Sequence, residues 1–205
     1  MSDDLDSARA DLAFLRTLAE GDPRPSPGFG QLLLAAGLLY GAQTLVHWAG
    51  ASGVFPVPGW MHLAAAIGGT GGFLVILIIV LWNDRHQPTG TTTRKAYEAA
   101  FQATGLMNLA MVFVFGFNAI RLDDFSLWLY YVPVVFAIQG GAWFVAARLQ
   151  KRLWYGLVAL GWFLAAAALG LTMGQPLFNL VVALALFLLM ALPGFVLLRL
   201  ARKAD

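Results

Sequence analysis

The stretch AAAIGGTGGFLVILIIVLW, residues 64–82, is an unbroken apolar run of the length that decides the fold of this chain. A helix that crosses a bilayer needs about 20 mostly apolar residues, and this run meets that requirement. Its middle nevertheless holds four glycines, although glycine costs roughly 1 kcal/mol relative to alanine inside a helix. The run therefore predicts a membrane helix and raises the question of what its glycines do.

The composition of the whole chain indicates the same class of protein. Of 205 residues, 60% are hydrophobic and 12% are charged, whereas soluble domains are typically about 45–50% apolar and about 25% charged. The chain has no cysteine, which excludes disulfides and thiol catalysis. Its basic residues flank apolar runs and form no stripe with interleaved aromatics, so we expect no nucleic-acid partner.

Six segments are long and apolar enough to span a membrane, and the gaps between them are short. The predicted fold is an all-α, six-helix transmembrane bundle over residues 26–205, preceded by a cytoplasmic amphipathic helix and linker over residues 1–25. The predicted spans are 28–50, 58–82, 96–120, 125–148, 153–174 and 177–199. Membrane lipids are the first expected partners.

The distribution of lysine and arginine predicts the orientation of the bundle. Twelve of these residues lie before span one, after span six, or in the connections after spans two and four, and only Arg121 lies on the other side. Positive charge concentrates on the cytoplasmic side of membrane proteins. We therefore expect a multi-pass protein of the cell (inner) membrane with both termini in the cytoplasm.

The N-terminal segment has apolar residues at helical spacing, and its acidic residues outnumber its arginines. Helices that bind anionic lipid surfaces usually carry a basic polar face, which this helix lacks. We expect it to dock on the inner loops of the protein itself or on a partner protein.

Glycines recur at similar places in the spans, and small residues allow membrane helices to approach closely. The residues predicted to pack helices together are Gly37, Gly41, Gly68, Gly72, Gly105, Gly141, Gly161 and Gly194. Six of them form pairs 33–36 residues apart, which suggests three helical hairpins built on one plan. A homo-oligomer is a further prediction.

An alternative interpretation assigns the glycine run to ligand binding. Interrupted membrane helices expose backbone carbonyls that line solute or ion sites. The candidate site residues are Gln43, Gly68, Gly69, Thr70, Gly71, Gly72, Asn108 and Gln139. Tight packing of an intact helix remains the competing interpretation.

Two histidines could meet across the short connection between spans one and two. His47 lies near the end of span one, and His62 lies near the start of span two. Two facing imidazoles can ligate a metal or a b-type haem, but hydrogen bonds to water or backbone are the favoured interpretation of these interfacial histidines. No cofactor is predicted.

The sequence predicts no enzyme, because it contains no known catalytic motif and no acid or base at the centre of a span. The functional prediction is a non-enzymatic membrane scaffold or a signalling or regulatory module. Two alternatives remain open. The first is a transporter of a small solute or lipid, or the membrane binding subunit of such a transporter. The second is a b-type haem protein.

Overall fold

The computed structural model describes residues 26–85 and 92–202, together with Asp11. The predicted amphipathic helix therefore lies almost entirely outside the described residues. All regular secondary structure in the described part is helical, and six helices are long and apolar enough to cross a membrane. These findings confirm the predicted all-α, six-span class of a multi-pass membrane protein.

The first five spans are single helices, and the sixth contains a π-helical segment. They are α1 Pro27–Ser52, α2 Gly59–Asp84, α3 Thr92–Arg121, α4 Ser126–Gln150, α5 Leu153–Leu171, then α6 Leu177–Leu186, the π-helical segment Phe187–Ala191 and α7 Leu192–Arg202. Each predicted end lies within four residues of the observed one.

The ends of α1 show why the chain folds into a helix between them. The hydroxyl of Ser26 accepts a hydrogen bond from the backbone N–H of Phe29 at 3.2 Å, and Pro27 occupies the first helical position. Both features are typical of a helix start. The helix ends at Gly53, whose φ of 71° is readily adopted by glycine.

The π-helical segment has a cause in the sequence. Pro193 has no backbone N–H, so the carbonyl of Leu189, four residues earlier, lacks its usual helical donor. The indole N–H of Trp162 in α5 donates to this carbonyl at 3.2 Å. The helix widens just before the proline, where the N–H of Leu192 bonds the carbonyl of Phe187. A hydrogen bond between helices thus replaces one lost within a helix.

The helices pack in the order α2, α1, sixth span, α5, α4, α3. The chain therefore does not form three equal hairpins, because the sixth span packs mainly on α1 rather than on α5. At one end α3 also meets α1, where the rings of Phe29 and Phe101 lie 4.8 Å apart. There the backbone N–H of Ser26 donates to the Glu98 carboxylate at 3.3 Å.

The core of the bundle lies where α4, α5 and the sixth span meet. Its largest fully buried side chains are Trp143, Tyr155, Trp162, Leu169 and Leu197. In the apolar stretch that qualifies each helix as a span, 44% of the residues are buried in the sixth span but only 11% in α2 and in α3. Most of the apolar surface of α2 and α3 therefore faces outward.

The two ends of the bundle differ in charge. The basic end contains the connection from α4 to α5 and the last turn of the sixth span, and it carries Arg85, Arg148, Lys151, Arg152 and Arg199. The opposite end, called the histidine end below, carries His47, His62 and the α3–α4 connection.

Candidate functional site

Glycines bring α1 and the sixth span into backbone contact. A methyl group at Gly37 would lie 2.7 Å from the Cα of Ala191, and one at Gly194 would lie 2.9 Å from the carbonyl carbon of Leu33. Methyl groups at Gly30 and Gly41 would also meet the sixth span, at Leu198 and at the ring of Phe187. These four residues, Gly30, Gly37, Gly41 and Gly194, form what we call the glycine seam.

The other glycines predicted to pack helices fall into two groups. A methyl group at Gly161 would press on the side chain of Leu189, and one at Gly72 would touch Leu39 at 3.4 Å. Methyl groups at Gly68, Gly105 and Gly141 would meet no atom of another helix within 4 Å among the described residues. These three glycines therefore do not bring helices together within the chain.

In two glycine pairs, the neighbour of the predicted residue makes the contact. Gly69, not Gly68, faces the Gln43 side chain of α1, and Gly140, not Gly141, lies against the Phe163 ring of α5. Successive residues of an α-helix point in directions about 100° apart around the helix axis. An error of one position therefore moves a glycine from a helix interface to the outer surface.

The glycine run of α2 is not an interruption. The helix continues without a break from Gly59 to Asp84. A continuous helix bonds its own carbonyls, so the run supplies no freed backbone ligands, and that part of the alternative interpretation is wrong. Thr70 contributes a side chain instead, because its hydroxyl is a hydrogen-bond partner of Tyr40 in α1.

Three predicted site residues share an unusual property. The side-chain oxygens of Gln43, Asn108 and Gln139 are buried and have no hydrogen-bond partner in the described protein. The indole nitrogen of Trp143 is in the same state, and Trp143 is fully buried. Most buried polar side-chain atoms in folded proteins have a partner, so four exceptions in one bundle require an explanation.

The packing of α3 on α4 places two of these amides at similar depth. Phe101 packs on Trp143 with ring centres 5.3 Å apart, and Phe115 packs on Tyr131 at 6.3 Å. Asn108 lies seven residues from each phenylalanine and so shares their helix face. It therefore meets α4 about half-way between Trp143 and Tyr131, within one turn of Gln139.

Gln139 and Trp143 lie four residues apart, on one face of α4. The amide oxygen of Gln139 and the indole N–H of Trp143 thus belong to one helix face, and each lacks a partner in the described protein. The sequence predicts Gln139 as a site residue but not Trp143. The four-residue spacing of the two polar groups was the available signal.

Gln43 lies nearer the histidine end than Asn108 and Gln139. Its side chain lies against Gly69 of α2, one turn of α1 before His47. The ring of Tyr40, on the neighbouring turn, packs against the ring of Phe73 in α2, with ring centres 5.5 Å apart. Among the described residues, Gln43 makes no hydrogen bond to Asn108 or Gln139.

These polar groups are all neutral. The charged residues that the structure describes within the bundle lie near helix ends or in connections, away from the middle of the spans. A site formed by amides, hydroxyls and an indole donates and accepts hydrogen bonds without a net charge. It suits a neutral polar solute better than an ion.

The two histidines of the histidine end are in direct contact. The Nδ1 atoms of His47 and His62 lie 2.9 Å apart, and the rings are parallel to within 3°. This is a hydrogen bond in which one neutral ring donates and the other accepts. Iron ligated by two histidines separates their nitrogens by about 4 Å and places a macrocycle between them, since each metal–nitrogen bond is about 2 Å. The two Nδ1 atoms of the described pair lie closer together than this, and haem ligation stays a prediction.

A metal site at the histidine pair would need further ligands. Among the described residues, no group of three or more histidine, cysteine, aspartate or glutamate side chains is arranged to hold a metal ion. The pair instead links the end of α1 to the start of α2, across their short connection.

Comparison with known proteins returned no match, whether to family models, to curated proteins or to solved structures.

Proposed function

We propose that this membrane protein binds a small, neutral, polar solute within its helix bundle, as a transporter or as the membrane binding subunit of one. The observation that carries the proposal is the set of buried polar atoms without partners on Gln43, Asn108, Gln139 and Trp143. Two of these residues belong to α4, one to α3 and one to α1.

The energetic argument concerns polar groups in an apolar environment. A buried polar atom without a partner costs about 1–3 kcal/mol. Lipid offers no hydrogen bonds, so the helices of a purely structural bundle gain nothing from unpaired amides. A bound solute that donates to Asn108 and Gln139 and accepts from Trp143 would remove the cost. Binding is therefore the simplest use of these residues.

The proposed orientation places the basic end, and with it both termini, in the cytoplasm, with the protein in the cell (inner) membrane. The positive-inside rule supports this, because Arg148, Lys151, Arg152 and Arg199 share one end of the bundle. The chain has no native cysteine. Single cysteines introduced at Lys151 and at Gly53 would therefore report the orientation through an impermeant thiol reagent.

A scaffold or signalling module is the second candidate function. The glycine seam favours it, because backbone contact between α1 and the sixth span closes that side of the bundle to a moving solute. Its partners would be a protein bound to the acidic N-terminal helix or a second copy of the chain. Neither candidate function involves catalysis.

Native mass spectrometry of the detergent-purified protein tests the proposal. We expect an adduct of defined mass on the wild type, lost from both Asn108→Leu and Gln139→Leu. The matched control is Gln102→Leu, which removes an exposed amide from the same helix as Asn108 and leaves the adduct in place.

Bare multiples of 22.1 kDa from the wild type would contradict solute binding and favour the scaffold. An adduct that survives both Asn108→Leu and Gln139→Leu would also contradict the proposed site. An absorption spectrum of the same sample tests the haem alternative, which requires a Soret band lost in His47→Phe.

A further inference from the structure

A second feature lies on the outer surface of the bundle, at the basic end. A groove of about 610 Å³ runs between α4 and α5. Its floor consists of the small residues Ala147, Gly156 and Ala159. Because small residues separate the two helix ridges, the surface between the ridges is recessed.

The walls of the groove are apolar and exposed. Phe144 is 54% exposed, Leu160 is 53% exposed and Phe163 is 42% exposed. On a helix pair that spans a membrane, such side chains face the acyl chains of lipids. The groove thus has the shape and the surface to hold a hydrocarbon chain.

The mouth of the groove is basic. Arg148, Lys151 and Arg152 line it within five residues of chain, where α4 ends and α5 begins. Among the described residues, no carboxylate forms an ion pair with these three side chains. In the part of the chain that the structure describes, these three cations thus have no carboxylate partner.

From this juxtaposition we propose that the groove binds one anionic phospholipid of the leaflet at the basic end. The phosphate group contacts Arg148, Lys151 and Arg152, and an acyl chain lies along Phe144, Leu160 and Phe163. Charge complementarity selects an anionic over a zwitterionic headgroup, because arginine and lysine side chains near a membrane surface attract anionic lipids. This inference is independent of the proposed solute site.

Lipid titrations followed by native mass spectrometry provide the test. The probes are phosphatidylglycerol and phosphatidylcholine with identical acyl chains, added to the delipidated, full-length protein. We expect phosphatidylglycerol to bind more tightly, and Arg148→Gln/Arg152→Gln to weaken its binding roughly tenfold or more. Binding of phosphatidylcholine changes little in this variant.

The matched control removes two charges from the same end of the bundle but outside the groove. Arg85 stacks over the Trp82 ring and Arg199 over the Phe195 ring. We expect Arg85→Gln/Arg199→Gln to bind phosphatidylglycerol like the wild type. Equal losses in the two double variants would overturn the proposal, because they would show a general surface-charge effect.

A second variant tests the acyl-chain part of the groove with all charges retained. A methyl group at Gly156 would touch only Ala147, at 4.0 Å, so a larger side chain there projects into the groove. We expect Gly156→Leu to displace phosphatidylglycerol while the thermal stability of the lipid-free protein stays unchanged. Undiminished binding in this variant, or equal affinity of the wild type for both lipids, would overturn the proposal.

Discussion

The glycine seam and the glycine run of α2 contain the same residue type but differ in what surrounds it. In the seam, Gly37 and Gly194 lie against backbone atoms of a neighbouring helix. In the run, a methyl group added at Gly68 or at Gly71 would meet no atom of another helix within 4 Å among the described residues. Backbones that approach this closely leave no room for a Cβ atom, so the seam requires glycine and the outer face of α2 does not. Glycine content alone therefore does not identify a helix contact.

The largest expected effect comes from substituting the seam. Gly37→Ala or Gly194→Ala forces α1 and the sixth span apart, because the methyl group would meet backbone, which cannot rotate away. Overpacking of this kind costs about 1–3 kcal/mol. Thermal unfolding in detergent should show a lower Tm for both variants. Gly68→Ala is the matched control, and we expect its Tm to equal or exceed that of the wild type. Equal losses at Gly37 and Gly68 would contradict the comparison.

A pair of tryptophans extends the comparison to hydrogen bonds in the core. The Trp162 indole donates to the Leu189 carbonyl next to the seam, whereas the Trp143 indole has no partner among the described residues. Trp162→Phe leaves that carbonyl unpaired, at a cost of about 1–3 kcal/mol. Trp143→Phe removes an unpaired donor, so we expect a smaller loss of Tm without solute. A larger loss for Trp143→Phe than for Trp162→Phe would show that its N–H is bonded in solution.

The histidine pair tests how α2, the less buried helix, is held to α1. His62→Phe keeps a ring in place of the imidazole but removes the 2.9 Å hydrogen bond to His47. Hydrogen bonds between membrane helices contribute about 0.6 kcal/mol on average. We expect a small drop in Tm, well below that of the seam variants. A drop as large as that of Gly37→Ala would show that α2 is held mainly at its histidine end.

The smallest effect is expected in the exposed connection between α3 and α4. Hydrogen bonds from the hydroxyl and the backbone N–H of Ser126 lower the pKa of Asp124 below its ordinary value of 3.8. A lowered pKa stabilises the fold above the pKa of the unfolded chain, and this contribution disappears as the pH falls through the folded-state pKa. The Tm difference between wild type and Asp124→Asn should therefore be largest near neutral pH and shrink below pH 3.8. A difference that grows on acidification would contradict this assignment.

The sequence alone determined the class of the protein, the number of its spans and their approximate ends. These properties depend on run length, composition and the position of breakers such as Gly53, all of which are linear along the chain. The choice of Gln43, Asn108 and Gln139 was also possible from sequence, because polar groups in a membrane span are rare and costly.

Only the tertiary structure decided which face of each helix meets a neighbour. It selected Gly69 and Gly140 over Gly68 and Gly141, and it paired the sixth span with α1 rather than with α5. It also exposed the unpaired indole of Trp143 and the groove between α4 and α5. Helix rotation and neighbour order depend on side-chain packing between segments far apart in the chain. In so uniformly apolar a sequence, many rotations and orders bury nearly the same surface, so the pattern along one helix does not specify them.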